Sequence, residues 1–452
     1  MNDIITAVEL ATSKVSVAVG QKTGDKVTVI AHCTTPMPKG IRHGEVENNH
    51  KVIEALRETV KMAEDILEEP IADVTLCLSS QFLRSEDCSV KKERRDPGRY
   101  ITGAEFKSWQ KEVLNTPVAE DEAIFEAIPQ SFDIDDMIGI SPAEILGMSG
   151  RRVQGFYKLI IGKKSSMQNK LDVAQRCGLN VVSTTLSSIG SASAVLNKTE
   201  LENGVALLDI GAGTTDVVIV KDNIIREVGV IPFGGQSVTE DIKNVACITA
   251  EAAELIKIKY GTCIEDGINE NKKLILKGSA GADNTEIHLT LLASVIYARM
   301  CEIFEAALYI IERAGYAGKI PAGIVVTGGT CYMENIKDLG RAITGYNIRL
   351  ANALGNISDS SERTAFDTYS SSIVGSVIRS LDESMDLNVE STKYAPKVTS
   401  ESHRNNTLFG QEEISVVKTK KKEEKKARPE KPKAKGPSIW DELFSGKINN
   451  EV

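Results

Sequence analysis

The chain predicts an α/β protein of two related lobes, with a small α+β subdomain inserted in the first. Three observations carry that expectation. A strand–polar turn–strand unit occurs twice, about two hundred residues apart; a charged, turn-rich segment interrupts the pattern over 81–161; and apolar content collapses after about residue 381. With 452 residues, 41% of them hydrophobic, the chain is long enough for two to four domains.

The first unit is IITAVEL (4–10), the turn ATSK (11–14) and KVSVAVG (14–20), followed after Gly24–Asp25 by KVTVIAHCTT (26–35). Val, Ile and Thr dominate these runs, which suits adjacent pleated strands. A helical period over 48–67 predicts an apolar face of Val52, Ile53, Leu56, Val60, Met62, Ala63, Ile66 and Leu67. VTLCLSS (74–80) reads as another strand. Within 81–161, SEDCSVKKERRDPGRY reads as charged turns and EAIFEAIPQSFDID as strand. The second unit is VALLDI (205–210), GAGTTD, VVIVKD (217–222) and IIREVGVIPF (224–233), with a helix expected from about Gln236. Glu9 and Asp209 hold equivalent places, each at the end of its unit's first strand. IPAGIVVTGGTCYMENIKDLG (320–340) predicts a strand, a Gly–Gly turn and a helix start.

Composition excludes several functions. Lys plus Arg is 54 against 63 Asp plus Glu, and the net charge of −9 argues against a nucleic-acid binder. At 5%, aromatics do not suggest a base-stacking surface. MNDIITAVEL has no basic run before an apolar core, so no secretory signal is expected. The apolar stretch 287–311 is broken by Arg299, Glu302 and Glu305, so no membrane span is expected either. Cysteines at 33, 77, 88, 177, 247, 263, 301 and 331 form no CxxC pair, which points to scattered reduced thiols in a cytosolic protein.

DIGAGTTD (209–216) is the strongest chemical signal. Gly211, Ala212 and Gly213 let backbone N–H groups approach phosphate oxygens, Thr214 and Thr215 add hydroxyls, and Asp209 or Asp216 suits a hydrated magnesium ion. A plain tight hairpin has the same composition. Two further pieces favour phosphate: Gly328 and Gly329 of VVTGG, where a nucleoside can lie flat on backbone, and Thr12, Ser13 and Lys14 of ELATSK at the opposite turn.

ELATSK, SSIGSASAVL (187–196), DIGAGTTD, VVTGG and TYSSSIVGS (368–376), in this order, resemble the actin-like ATPase superfamily. GIRHGEVEN (40–48), IPQSFDID (128–135), CGLNVVSTTLSSIGSASAVL (177–196), VIPFGGQSVTEDI (230–242), AAELIKIKYG (252–261) and AGIVVTGG (322–329) resemble, more closely, the FtsA family of bacterial cell-division proteins, over about 4–380. The resemblance implies an actin-like (ribonuclease H-like) fold with ATP and Mg2+ between the lobes. Thr12, Ser13, Lys14, Gly211, Ala212, Gly213, Thr214, Thr215, Glu254, Lys257, Gly328 and Gly329 would hold the nucleotide, with Glu9 and Asp209 on the metal through water. From the residues alone, Glu254 and Lys257 read as a solvated charged helix face, the commoner fate of Glu–Lys neighbours. The implied division is a first lobe of 1–80 completed by 162–198 and 357–381, an inserted subdomain 81–161, a second lobe of 199–236 completed by 305–356, and an upper subdomain 237–304. The first loop departs from the family's Asp–Ile–Gly–Thr–Ser–Lys: Glu9 is longer by one carbon, and Ala11 adds a methyl where backbone would approach phosphate. Each change weakens binding by about 1 kcal/mol or more, the scale of one imperfect polar contact. An ATP-binding adaptor with at most weak ATPase activity is expected, and no catalytic base is assigned.

Residues 382–436 read as a disordered linker. Its stretch 418–435 has ten Lys or Arg against three Glu, so this +7 leaves −16 on the rest of the −9 chain. Residues 437–452 follow with an amphipathic helix in which Ile439, Trp440, Leu443, Phe444 and Ile448 share one half and Asp441 and Glu442 the other. Such a face suits a membrane interface or a protein groove. The resemblance implies the membrane, and with it a peripheral place on the cytoplasmic side of the cell membrane at the division site. It also implies filaments of the chain itself, the FtsZ C-terminal peptide on 237–304, and later division proteins as partners. Two other readings are a small-molecule kinase of the same superfamily, for which no substrate-positioning acid is evident, and a shape filament of the MreB type, disfavoured by the insertion's position and the long charged tail.

Overall fold

Two hairpins set the architecture. In the computed structural model, which describes residues 4–23, 26–37, 39–266, 268–276, 284–351, 358–359 and 371–381, the strand Ile4–Leu10 pairs antiparallel with Lys14–Thr23, and that strand with Lys26–Pro36. On its other side Ile4–Leu10 takes Asp73–Leu78 in parallel, which takes Asn180–Leu186 in parallel. The second sheet repeats these steps. Val205–Ile210 pairs antiparallel with Thr215–Lys221, and that strand with Ile224–Ile231; its other side takes Ile324–Thr327 and then Ile348–Leu350 in parallel. The turns close alike: Ala11 N donates to Lys14 O at 3.0 Å, and Gly211 N to Thr214 O at 2.9 Å. Glu9 lies opposite Ser16 and Asp209 opposite Asp216, so the equivalence read from the sequence is geometric. The expected tail and linker, 382–452, and residues 360–370 lie outside the described residues.

The near-continuous apolar run of Val205–Ile210 follows from burial on both faces. Val205 and Leu207 enter one core, with the first lobe; Ala206, Leu208 and Ile210 enter the other, with the second lobe's helices. Helix Asn49–Leu67, capped by Asn48, covers the first sheet with Val52, Ala55, Leu56, Thr59, Val60 and Ala63. Its apolar face is narrower than expected. Met62 and Ile66 are 41% and 47% exposed, because one helix on one sheet buries only a stripe.

Two short helices cross where the lobes meet. Ser187–Val195 is buried at every residue, which its small side chains permit. It packs on Ser371–Leu381 so closely that a Cβ on Gly190 would stand 2.5 Å from the Ser372 carbonyl oxygen.

The insertion has its own four-stranded sheet, of Arg84–Glu93, Arg152–Lys163, Glu122–Ile134 and Met137–Ile140, with the helix Gly103–Val113 on one face. Phe106, Trp109, Phe132 and Tyr157 form its core, with Phe132 and Tyr157 edge-to-face at 5.8 Å. The expectation of turns over SEDCSVKKERRDPGRY holds only past Glu93, since Arg84–Glu93 is a ten-residue strand. Its charges mark a sheet edge, where ionised side chains face water and block further pairing, while Cys88 turns inward. The insertion also reaches the second lobe. The Ser85 hydroxyl donates to Val228 O at 2.6 Å, Gln130 Nε2 donates to Ile225 O at 2.8 Å, and Lys158 pairs with Glu227 at 3.3 Å. The expected two-lobe α/β fold with an inserted α+β subdomain is thus the observed one. All eight cysteines are free thiols. Among the described residues, no helix is long and apolar enough to cross a membrane.

Candidate functional site

The two hairpin turns face each other between the lobes. Gly213 abuts Thr12 directly: a Cβ there would collide with Thr12 Oγ1 and stand 3.0 Å from His43 Cα. Thr12 is buried, Ser13 is exposed and Lys14 is half-buried at the first turn. Thr215 is buried and its hydroxyl is spent on Phe233 O at 2.9 Å, while Thr214 stays half-buried.

Each crossing helix sends one hydroxyl to one strand-end carboxylate. Ser191 donates to Asp209 Oδ2, and Ser372 donates to Glu9 Oε2 at 2.8 Å. Loss of water around Asp209, and then the Glu9 charge, push its carboxyl up to about 6, against the Ser191 bond that favours the ionised form. Asp216 behind it is pushed up to about 8 by burial, then by Asp209 and Glu9, against the Lys170 charge. Lys170 is 1% exposed, and burial draws its ammonium down to about 8 although Glu45, Glu9 and Asp216 all favour the charge. Three carboxylates thus share a water-poor cleft. Among the described residues, no group of three or more His, Cys, Asp or Glu stands at spacing to hold a metal directly.

The second turn rests on the start of the helix Gly235–Ala246 and on Thr330. Gly235 N donates to Gly211 O at 2.9 Å, Gln236 N to Ala212 O at 2.8 Å, and Thr330 Oγ1 to Gly211 O at 3.0 Å. Lys257 Nζ donates to Gly235 O at 2.8 Å, Thr239 Oγ1 at 2.8 Å and Glu254 Oε2 at 2.7 Å. Its side chain is 10% exposed, so a freely solvated pair does not describe Lys257, while Glu254 keeps 45%. Gly328, at φ +89°, lets backbone approach Asp209: a Cβ would stand 2.5 Å from Oδ1. Gly329 opens the short 3-10 helix Gly329–Tyr332. The structure therefore brings the ELATSK, DIGAGTTD and VVTGG segments and the Glu254–Lys257 helix to one cleft. Ile439, Trp440, Leu443, Phe444 and Ile448 lie outside the described residues.

Sequence reasoning missed Ser191, Ser372, His43 and Lys170. The serines lie within segments noted for their order, but nothing local marks which hydroxyl meets a carboxylate. Lys170 sits in the polar run KSSMQNKLDVAQR, where exposure is the ordinary expectation.

Residues 206–373 match the family model described as cell division protein FtsA. The cell division protein FtsA of Neisseria meningitidis serogroup B is 30% identical over 370 residues, covering 80% of this chain and 88% of that protein. The chain belongs to the FtsA family of cell-division proteins. The FtsA of Pseudomonas aeruginosa is 29% identical over 77% of this chain and 82% of its own length. Among solved structures, the PilM–PilN type IV pilus biogenesis complex matches at a TM-score of 0.61 and 15% identity, over 84% of this chain and 98% of that one. At that identity the likeness is one of fold alone. FtsA membership places this chain in bacterial cell division.

Proposed function

We propose that this FtsA-family chain binds ATP with Mg2+ between its lobes, polymerises, and tethers FtsZ to the cytoplasmic membrane. One observation carries the nucleotide part. Two equivalent hairpins face each other, each ending a strand in a buried or half-buried carboxylate held by a crossing-helix serine. The donor set fits the ligand. Thr12, Ser13 and Lys14 offer one lobe's hydroxyls and ammonium, while Gly211, Ala212, Gly213 and Thr214 offer the other's backbone and hydroxyl. Glu9 and Asp209 suit a hydrated cation, which would offset the burial and like charge that push the Asp209 carboxyl up. When bound, ATP with Mg2+ supplies a polyphosphate that both lobes contact at once.

Lys257, with Glu254, fixes Gly235 beneath the second turn and so holds the wall on which a nucleoside would rest. Gly328 and Gly329 leave that wall free of side chains. Glu9 and Ala11, which weaken the grip on phosphate and metal, support at most weak hydrolysis. Family membership supports the rest: the FtsZ C-terminal peptide on 237–304, self-association, later division proteins, and peripheral attachment through 437–452. A lipid monolayer carrying Mg-ATP and FtsZ tests the adaptor role. FtsZ should accumulate only when this protein is added, and FtsZ accumulation without it would defeat the proposal.

A further inference from the structure

We infer that Lys170, Ser79 and the His43–Gly44 turn form a brace that positions the Gly211–Thr214 loop against Thr12, so that residues outside both loops set how tightly the cleft holds a polyphosphate. The inference rests on the nucleotide reading above and deepens it. Its origin is a lysine where lysines are seldom found. Lys170, on the helix Lys164–Arg176, is 1% exposed, and a buried ammonium is tolerated only where oxygens surround it.

Lys170 Nζ donates to the Ser79 carbonyl and, at 3.2 Å, to Ser79 Oγ, just past the strand Asp73–Leu78. Ser79 and Ser80 in turn support Gly44, where a Cβ would stand 3.3 Å from Ser79 C and from Ser80 Cα. Gln81 N donates to His43 O at 3.2 Å. The same helix grips the turn a second time, because Ser166 Oγ donates to Glu45 Oε1 at 2.9 Å.

The turn so held touches both loops. His43 has φ +48°, an uncommon conformation for a non-glycine residue that its surroundings must enforce. From it, Nδ1 donates across the cleft to Gly213 O at 2.7 Å, while Gly44 N donates to Thr12 Oγ1 at 3.2 Å. One two-residue turn therefore bonds to the first lobe's loop and to the second's. Helix Lys164–Arg176 begins directly after the insertion's last strand, Arg152–Lys163, and Ser79 precedes its first. The brace thus starts where the insertion joins the lobe, and a force on the insertion reaches the loops through it.

The test is calorimetric titration of Mg-ATP into the full chain and into His43→Ala, His43→Asn, Lys170→Met and the His43→Ala/Lys170→Met double variant. Loss of the His43–Gly213 bond should weaken binding by about 3- to 10-fold in His43→Ala. His43→Asn keeps a donor near the Nδ1 position and tolerates positive φ, so it should return to within about 2-fold of the parent. In a single chain of contacts the double variant should bind no more than about 2-fold worse than the weaker single variant. Independent, multiplying losses would overturn the brace, as would a folded His43→Ala that binds like the parent. If Lys170→Met does not fold, the two His43 variants decide alone. If the parent binds no ATP, the nucleotide reading fails and the brace is judged on amide exchange in the unliganded protein. His43→Ala and Lys170→Met should then speed exchange at Gly44 and Gln81, and unchanged rates would overturn it.

Discussion

Replacing Gly190 by Ala tests whether contact between the two crossing helices holds the cleft together. Alanine ordinarily stabilises a helix over glycine by about 1 kcal/mol. Here the new methyl carbon would lie 2.5 Å from both the Ser372 carbonyl oxygen and Ser376 Oγ, which are already hydrogen-bonded to each other at 2.8 Å. The hydroxyl can rotate away; the carbonyl belongs to helix backbone, so the helices must part by about 0.5 Å to restore a 3.0 Å contact. Overpacking of this kind costs about 1–3 kcal/mol. Separation also pulls Ser372 from Glu9 and Ser191 from Asp209, and weakens hydrogen bonds to ionisable acceptors. The net expectation is a loss of about 1–2 kcal/mol in the opening free energy of Ser187–Val195, read by native-state amide exchange. Gly103 begins a helix with nothing within 4 Å of its missing Cβ, so Gly103→Ala should be neutral or stabilising there. Equal or greater protection in Gly190→Ala than in the parent would refute the reasoning.

His32 supplies a pH dependence. Burial, and then the Lys14 charge, draw its imidazole from 6.5 down to about 4. The unfolded chain binds the proton more readily, so this stability is present above pH 6.5 and lost as pH falls towards 4, up to about 3 kcal/mol. His32→Gln should flatten that part of the acid-unfolding profile, and parallel profiles would contradict it. Removing residues 437–452 should release the protein from anionic liposomes in co-sedimentation while leaving Mg-ATP affinity unchanged; persistent co-sedimentation would rule the segment out as the anchor.

The repeated hairpin was legible in the sequence because its signal is local: β-branched runs, a short polar turn and one acid at each strand end. The same locality made Glu9, Asp209 and the glycines of 211–213 and 328–329 readable as a group. Lys170 and His43 were not readable, because their roles depend on which backbone carbonyls the folded chain sets beside them. Ser79 is 91 residues from Lys170, and Gly213 is 170 from His43. Arg84–Glu93 was read as turns because an edge strand need bury only one face, and its charges hide the alternation. The breadth assigned to the helix Asn49–Leu67 erred the other way, since apolar residues at Met62 and Ile66 remain in water.

The central claim is that Asp209, at the end of the second lobe's first strand, belongs to a nucleotide site shared by both hairpins. Titrating Mg-ATP into the parent and into Asp209→Ala by calorimetry tests it most directly. The account predicts saturable binding by the parent and no measurable heat of binding for Asp209→Ala with the fold intact. An unchanged dissociation constant in that variant would contradict it.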